Sequence, residues 1–262
     1  MANPKNLNFQ NNCLPINYVP LYRGTLIGEE NITESLPVWH EFLSTDSVFC
    51  QALVGCGYLT REQMAHAAQR FRLGRSSDGG VIFWQIDETA RTRDGKIMFY
   101  RSDCHRDKSP GRHPSWYLAR LKAACGFTGE LPVERCLFGL HQLPLARKYG
   151  RPVAVVESEK TAVIMSELKP GCVWMATGGQ GNLSERLLSP LREQRVVLFP
   201  DTDPDGQTYR RWRDVAREAS ADFLYPIYVS TLLEDEATAE QKQQKIDIID
   251  YLFPLTPKKQ AL

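Results

Sequence analysis

Val196–Val197–Leu198–Phe199–Pro200–Asp201–Thr202–Asp203–Pro204–Asp205–Gly206 is the stretch that decides the fold. Its four apolar residues predict a short buried strand. Three carboxylates follow at alternate positions, and a glycine closes the turn. Carboxylates packed this closely repel one another unless a cation lies between them, so the stretch points to a divalent metal. A strand of an open α/β sheet would deliver these acids to the carboxyl edge, where such folds place their ligands.

The spacing has rivals. Asp-x-Asp-x-Asp-Gly also opens a calcium-binding EF-hand loop, but that loop needs a Glu at its twelfth position and a helix in front. Here the twelfth residue is Trp212, and Val-Val-Leu-Phe is strand-like. Phosphatases of the haloacid dehalogenase type carry Asp-x-Asp after an apolar strand as well. A solvated acidic turn is the plain alternative.

A second acidic site shifts the balance. Val153–Ala154–Val155–Val156 is another apolar run, and it ends in Glu157–Ser158–Glu159–Lys160–Thr161–Ala162. Between the two sites, Val173–Trp174–Met175–Ala176 runs into Thr177–Gly178–Gly179. Periodic stretches at Thr161–Leu168, Leu183–Leu191 and Gln207–Ala219 predict helices between the strands, and Phe223–Val229 predicts a last strand. Alternating strands and helices imply a parallel sheet with right-handed crossovers. Glu157 and Asp201 would then meet at one edge.

Glu157 after a strand, Gly178–Gly179 in the middle, and Asp201-x-Asp203-x-Asp205–Gly206 after another strand resemble the Toprim domain of bacterial primases, topoisomerases and OLD-type nucleases. The resemblance covers about Arg151 to Val229. It implies that Glu157 acts as general acid or base and that Asp201 and Asp203 hold magnesium or manganese, with Glu157 and Asp205 as further ligands. Family members often have Gly where this chain has Ser158, a residue that suits a helix N-cap. Lys160, near the start of the next helix, is read as a phosphate contact or as a solvated lysine.

The upstream segment narrows the resemblance. Gly80–Val81–Ile82–Phe83–Trp84–Gln85–Ile86–Asp87 and Arg93–Asp94–Gly95–Lys96–Ile97–Met98–Phe99–Tyr100–Arg101 read as two alternating strands, with Asp94–Gly95 as the hairpin turn. Cys136–Leu137–Phe138–Gly139–Leu140 follows. This order is similar to the catalytic core of bacterial DNA primases, collinear from about Phe71 to Val229. The runs Val81–Asp87, Gly95–Met98 and Val156–Ala162 are more similar still to primase-like Toprim proteins of Bacteroidetes mobile elements. Lys245–Leu252 is similar to the primase Lys-Asp-Pro-Asp-Glu-Tyr-Leu motif without its proline. Asp247 is therefore read either as a metal ligand or as part of the polar face of a short helix.

The resemblance implies an α/β fold: a Toprim-like, mostly parallel sheet flanked by helices, preceded by a smaller α+β subdomain. It implies a primase-like nucleotidyltransferase on single-stranded DNA, using Mg2+ or Mn2+ and ribonucleoside triphosphates, in replication of a plasmid or mobile element. The alternatives are a metal-dependent Toprim nuclease and a silent DNA-binding Toprim protein. The expected parts are an irregular leader over 1–32, a basic α+β part over 33–149, the Toprim domain over 150–230 and a helical extension over 231–262.

Charge adds a direction. The 262-residue chain has a net charge of only +1, which selects no partner. Arg70 to Lys122 holds 12 Lys and Arg against 6 Asp and Glu, so this segment would attract a polyanion. Lys96, Arg101, Arg106, Lys108 and Arg112 are the candidate nucleic-acid contacts. His105, His113, Trp116 and Tyr117 are interleaved with them, a pattern suited to backbone contact and base stacking.

No apolar run approaches the roughly 18 residues of a membrane span, and no signal peptide opens the chain. Seven scattered cysteines without a Cys-x-x-Cys pair fit reduced thiols in a cytoplasmic setting. No zinc module is evident, so a helicase or a separate zinc-binding protein is an expected partner. Thr33–Phe71 reads as helical, with Thr60 as an N-cap before Glu62. Pro254–Leu262 reads as a frayed end.

Overall fold

A computed structural model describes residues 44–124, 126, 128, 133–179 and 181–253. The expectations for the leader over 1–32, for a helix over 33–43 and for the end at Pro254–Leu262 lie outside the described residues.

Four parallel strands form the sheet that carries the acids. They are β5 (Val153–Val156), β6 (Val173–Ala176), β7 (Val196–Phe199) and β8 (Tyr228–Val229), in the order β6-β5-β7-β8. The chain reaches them through α5 (Glu159–Leu168), α6 (Glu185–Leu188) and α7 (Gln207–Ala219). Residues alternate between two faces, as the strand period requires. Ala154 and Val156 enter one core with Ile164, Trp174 and Ile249, while Val153, Val155 and Leu198 enter another with Leu143, Leu188 and Trp212.

The second sheet is antiparallel, in the order β1 (Gly74–Arg75), β2 (Val81–Ile86), β3 (Thr92–Met98) and β4 (Ser115–Trp116). Ahead of it lie α1 (Val48–Gly55) and α2 (Arg61–Phe71). Behind it lie α3 (Tyr117–Ala124) and α4 (Leu143–Tyr149). Thr60 caps α2 in a full capping box with Gln63. The two sheets share one core: Phe83 of β2 meets Phe138 edge-on at 5.4 Å, and Phe138 stacks on Phe71 at 4.8 Å. Phe138 also exchanges both backbone hydrogen bonds with Ala176, so the Cys136–Leu140 segment is stitched to the edge of β6. The fold is thus mixed α/β, a parallel sheet flanked by helices and joined to an antiparallel one.

Three details depart from expectation. Asp94–Gly95 is not the hairpin turn; it lies inside β3, opposite Gln85 and Trp84. Asp87 makes the turn instead. Its Oδ1 accepts from the N–H of Thr89 and of Arg91, and Ala90 takes a positive φ of 66°. Gly95 is needed for packing, because a Cβ there would lie 2.8 Å from both Ile82 and the Trp84 ring. The helix expected over Leu183–Leu191 stops at Leu188 and tightens into a 3-10 turn over Ser189–Leu191, where Pro190 has no N–H to continue it. The strand expected over Phe223–Val229 pairs only at Tyr228 and Val229, since Pro226 has no N–H for the ladder.

Behind β8 come α8 (Leu232–Glu236), α9 (Ala239–Gln244) and α10 (Ile248–Leu252). Among the described residues no helix is long and apolar enough to cross a membrane.

Candidate active site

Pairing of β5 with both neighbours puts Val156 level with Ala176 and Phe199. The residues that follow these three therefore emerge together at the carboxyl edge. Glu157 and Asp201 line one cavity of about 270 Å³, with Gly178 and Gly179 beside them. Lys96, Met98, Tyr100 and Arg106 reach it from the antiparallel part, and Thr202 and Lys245 complete the rim.

The two acids sit in an environment that resists charge. Glu157 is only 7% exposed, and its buried Oε1 has no partner. Burial, then the nearby Asp203 and Asp247 carboxylates, raises its carboxyl to about 7, although the Asp201 amide and Arg211 favour the charged form. Asp201 is raised well above the ordinary carboxylate range by burial, then by Glu157, Asp247 and Asp250. Lys160 opposes that rise.

The other acids of the sequence motif do different work. Asp203 accepts at Oδ1 from the N–H of Asp205 (3.1 Å) and Gln207 (2.9 Å), and at Oδ2 from the N–H of Thr208 (2.6 Å). It thereby caps the first turn of α7. Burial works against its ionisation, but these amides outweigh burial and hold its carboxyl below the usual range. Asp205 is exposed and lies off the cavity wall. Asp247 is the N-cap of α10, accepting from the N–H of Ile249 and Asp250 and from the Thr161 hydroxyl.

Ser158 occupies the N-cap position of α5, with extended backbone, but its hydroxyl makes no capping bond. Lys160 is not on the cavity wall; its ammonium lies 5.9 Å from the Tyr58 ring centroid.

The basic candidates divide into three groups. Lys96 is committed: its Nζ contacts Glu159 Oε1 at 3.0 Å and donates to the Gly178 carbonyl at 2.6 Å. Arg101 pairs with Asp103 on the surface. Arg106 lines the cavity and also a neighbouring hollow of about 280 Å³ shared with Lys108, Arg112, Phe99 and His113. The Arg112 guanidinium covers the Phe99 ring at 4.6 Å. Of the interleaved aromatics, Trp116 is covered by Arg135 at 3.6 Å and Tyr117 packs on Trp84.

The sequence assigns no role to Glu159, and Lys245 enters only as the first residue of the segment similar to a primase motif. An acid in the first turn of a helix is favoured there anyway, so Glu159 gave no separate signal. Lys245 comes to the cavity only through the path of α9 and α10.

Among the described residues no three acidic, histidine or cysteine side chains form a group able to hold a metal ion. A smaller seat remains. Magnesium is commonly held by one or two carboxylates while it keeps several waters. Glu157, with an orphaned buried oxygen, and Asp201 beside it fit such an ion.

The family model described as "Domain of unknown function (DUF6371)" matches residues 47–202. The chain belongs to the DUF6371 family. No curated protein matches it. Two solved structures are similar to this DUF6371 chain, each at 16% identity. The primase fragment of the bacteriophage T7 primase-helicase protein matches over 63% of this chain and 60% of its own, with a TM-score of 0.40. The Aquifex aeolicus primase, comprising zinc-binding and RNA polymerase domains, matches over 78% and 62%, with a TM-score of 0.38. The chain thus spans less than two thirds of each of these proteins.

Proposed function

We propose that this protein is a primase-like nucleotidyltransferase that joins ribonucleotides on single-stranded DNA. The observation that carries the reading is the meeting of Glu157 and Asp201 in one cavity whose other wall is basic. The motif resemblance to primase cores supports the same reading.

Nucleotidyl transfer builds negative charge at phosphorus, and a magnesium ion on Glu157 and Asp201 would stabilise that charge. The protein's own residues supply the rest. Glu157 Oε1 has no partner to displace; where Asp201 alone holds the ion, the Glu157 carboxylate is instead the group to accept a proton from an attacking 3′-hydroxyl. Asp203 holds α7 in place and so fixes the Asp201 loop. Lys96 ties the glycine loop to β3 and keeps the cavity walls in register. Arg106 joins the cavity to the hollow lined by Lys108 and Arg112, a path along which a nucleic-acid backbone can run.

The test is synthesis. With magnesium or manganese, ribonucleotides and a single-stranded template, the protein should make short RNA, and Asp201→Asn should abolish it. Degradation of the template without synthesis would replace the reading with a nuclease. DNA binding without turnover, unchanged by Asp201→Asn, would replace it with a silent binding protein.

A further inference from the structure

Among the cations of the cavity wall, Lys96 is already neutralised by Glu159. Arg106 and Lys245 have no acidic partner within ion-pair distance among the described residues, although Glu157 and Asp201 line the same space. A cavity with two crowded carboxylates and two uncommitted cations suits a ligand that carries both a divalent cation and several phosphate oxygens.

Lys245 is exposed, and its backbone is fixed on both sides. It is the C-cap of α9 with φ 55° and ψ 53°, a left-handed backbone in which glycine or asparagine is the unstrained choice. The next residue anchors it. The Ile246 carbonyl accepts from the Thr202 N–H at 3.0 Å and from the Thr202 hydroxyl at 3.2 Å. Asp247 then caps α10 and takes the Thr161 hydroxyl. Lys245 is therefore clipped to the very loop that carries Asp201.

We propose that Lys245, assisted by Arg106, binds the polyphosphate of an incoming nucleoside triphosphate; this rests on the nucleotidyl-transfer reading. Phosphate oxygens could come from a nucleotide or from a DNA backbone. The triphosphate is favoured because Lys245 lies in the cavity with the carboxylates, while the hollow with Lys108 and Arg112 lies beyond Arg106.

The experiment uses the full chain and three variants: Lys245→Gly, Lys245→Arg, and Lys148→Gln as an equal loss of charge on α4. Binding of a fluorescent GTP analogue is measured in magnesium and in EDTA, and binding of a labelled oligothymidylate by anisotropy. Lys245→Gly relieves backbone strain, so melting checks that the fold is intact. It should weaken nucleotide binding about tenfold in both buffers, the scale of one charge-assisted hydrogen bond, and leave oligothymidylate binding unchanged. KM for ribonucleotide should rise with kcat unchanged, and Lys245→Arg should recover most of the loss.

Unchanged nucleotide binding in Lys245→Gly would overturn the inference, as would equal weakening by Lys148→Gln or a parallel loss of oligothymidylate binding. Lys245-dependent GTP binding in a protein that makes no RNA would uphold the polyphosphate seat and sink the polymerising reaction. Normal synthesis with an unaltered KM in Lys245→Gly would do the reverse.

Discussion

Glu157→Gln should stabilise the metal-free protein, and by an amount that grows with pH. The Glu157 carboxyl is 7% exposed and is raised from an ordinary 4.5 to about 7, first by burial. Between those values the folded chain keeps a proton that the unfolded chain releases. Folding stability contributed by this group is full below pH 4.5 and is lost as pH rises through 7, for a total of about 3 kcal/mol. His141 runs the other way. It is half-buried, its Nε2–H donates to the Arg70 carbonyl oxygen, and desolvation pushes it down from 6.5 to about 4. Its contribution is full above pH 6.5 and is lost as pH falls through 4. The wild-type curve therefore hides both effects; the difference between wild type and variant removes His141 and reports Glu157 together with the Asp201 carboxyl that it raises. Urea unfolding in EDTA, followed by circular dichroism from pH 4.5 to 8, should show that difference rising by about 3 kcal/mol in favour of Gln. A constant difference, or one that grows toward acid, would refute the environment assigned to Glu157.

Three further outcomes are expected. Gly95→Ala should cost about 1–3 kcal/mol in urea unfolding, because its Cβ has no room beneath Trp84. Lys96→Met strands the buried Glu159 carboxylate and should cost about 3–5 kcal/mol, most of it recovered in the Lys96→Met/Glu159→Gln double variant; equal losses in both would show that the pair is not coupled. Asp203→Ala removes three amide contacts at the start of α7 and should cost about 1–2 kcal/mol near pH 7. Because the Asp203 carboxyl is held below its usual range, that cost should vanish as the solution is acidified, as thermal melts across pH will show.

Strand, acid and helix start stood in plain order in the chain, so the parallel sheet and the meeting of Glu157 with Asp201 were legible before any coordinates. The signal was strong because both depend on local pattern and on one topological rule. What escaped was set by distant partners. Asp94–Gly95 has the chemistry of a turn, yet Asp87 captures the turn amides and Trp84 needs a glycine beneath its ring. Asp203 looks equivalent to Asp201 in the motif, and only the direction of α7 decides that its oxygens face amides. Lys96 meets Glu159 across 63 positions of sequence, a pairing no window can register.

The hydrogen bonds from Thr202 to the Ile246 carbonyl make the acidic loop depend on the chain beyond β8. A chain shortened just past Val229 would retain all four parallel strands, but the Ala154–Val156 face would lose Ile248 and Ile249, and the acidic loop would lose the brace that Ile246 provides. The strands and the acidic loop they present therefore depend on different lengths of chain.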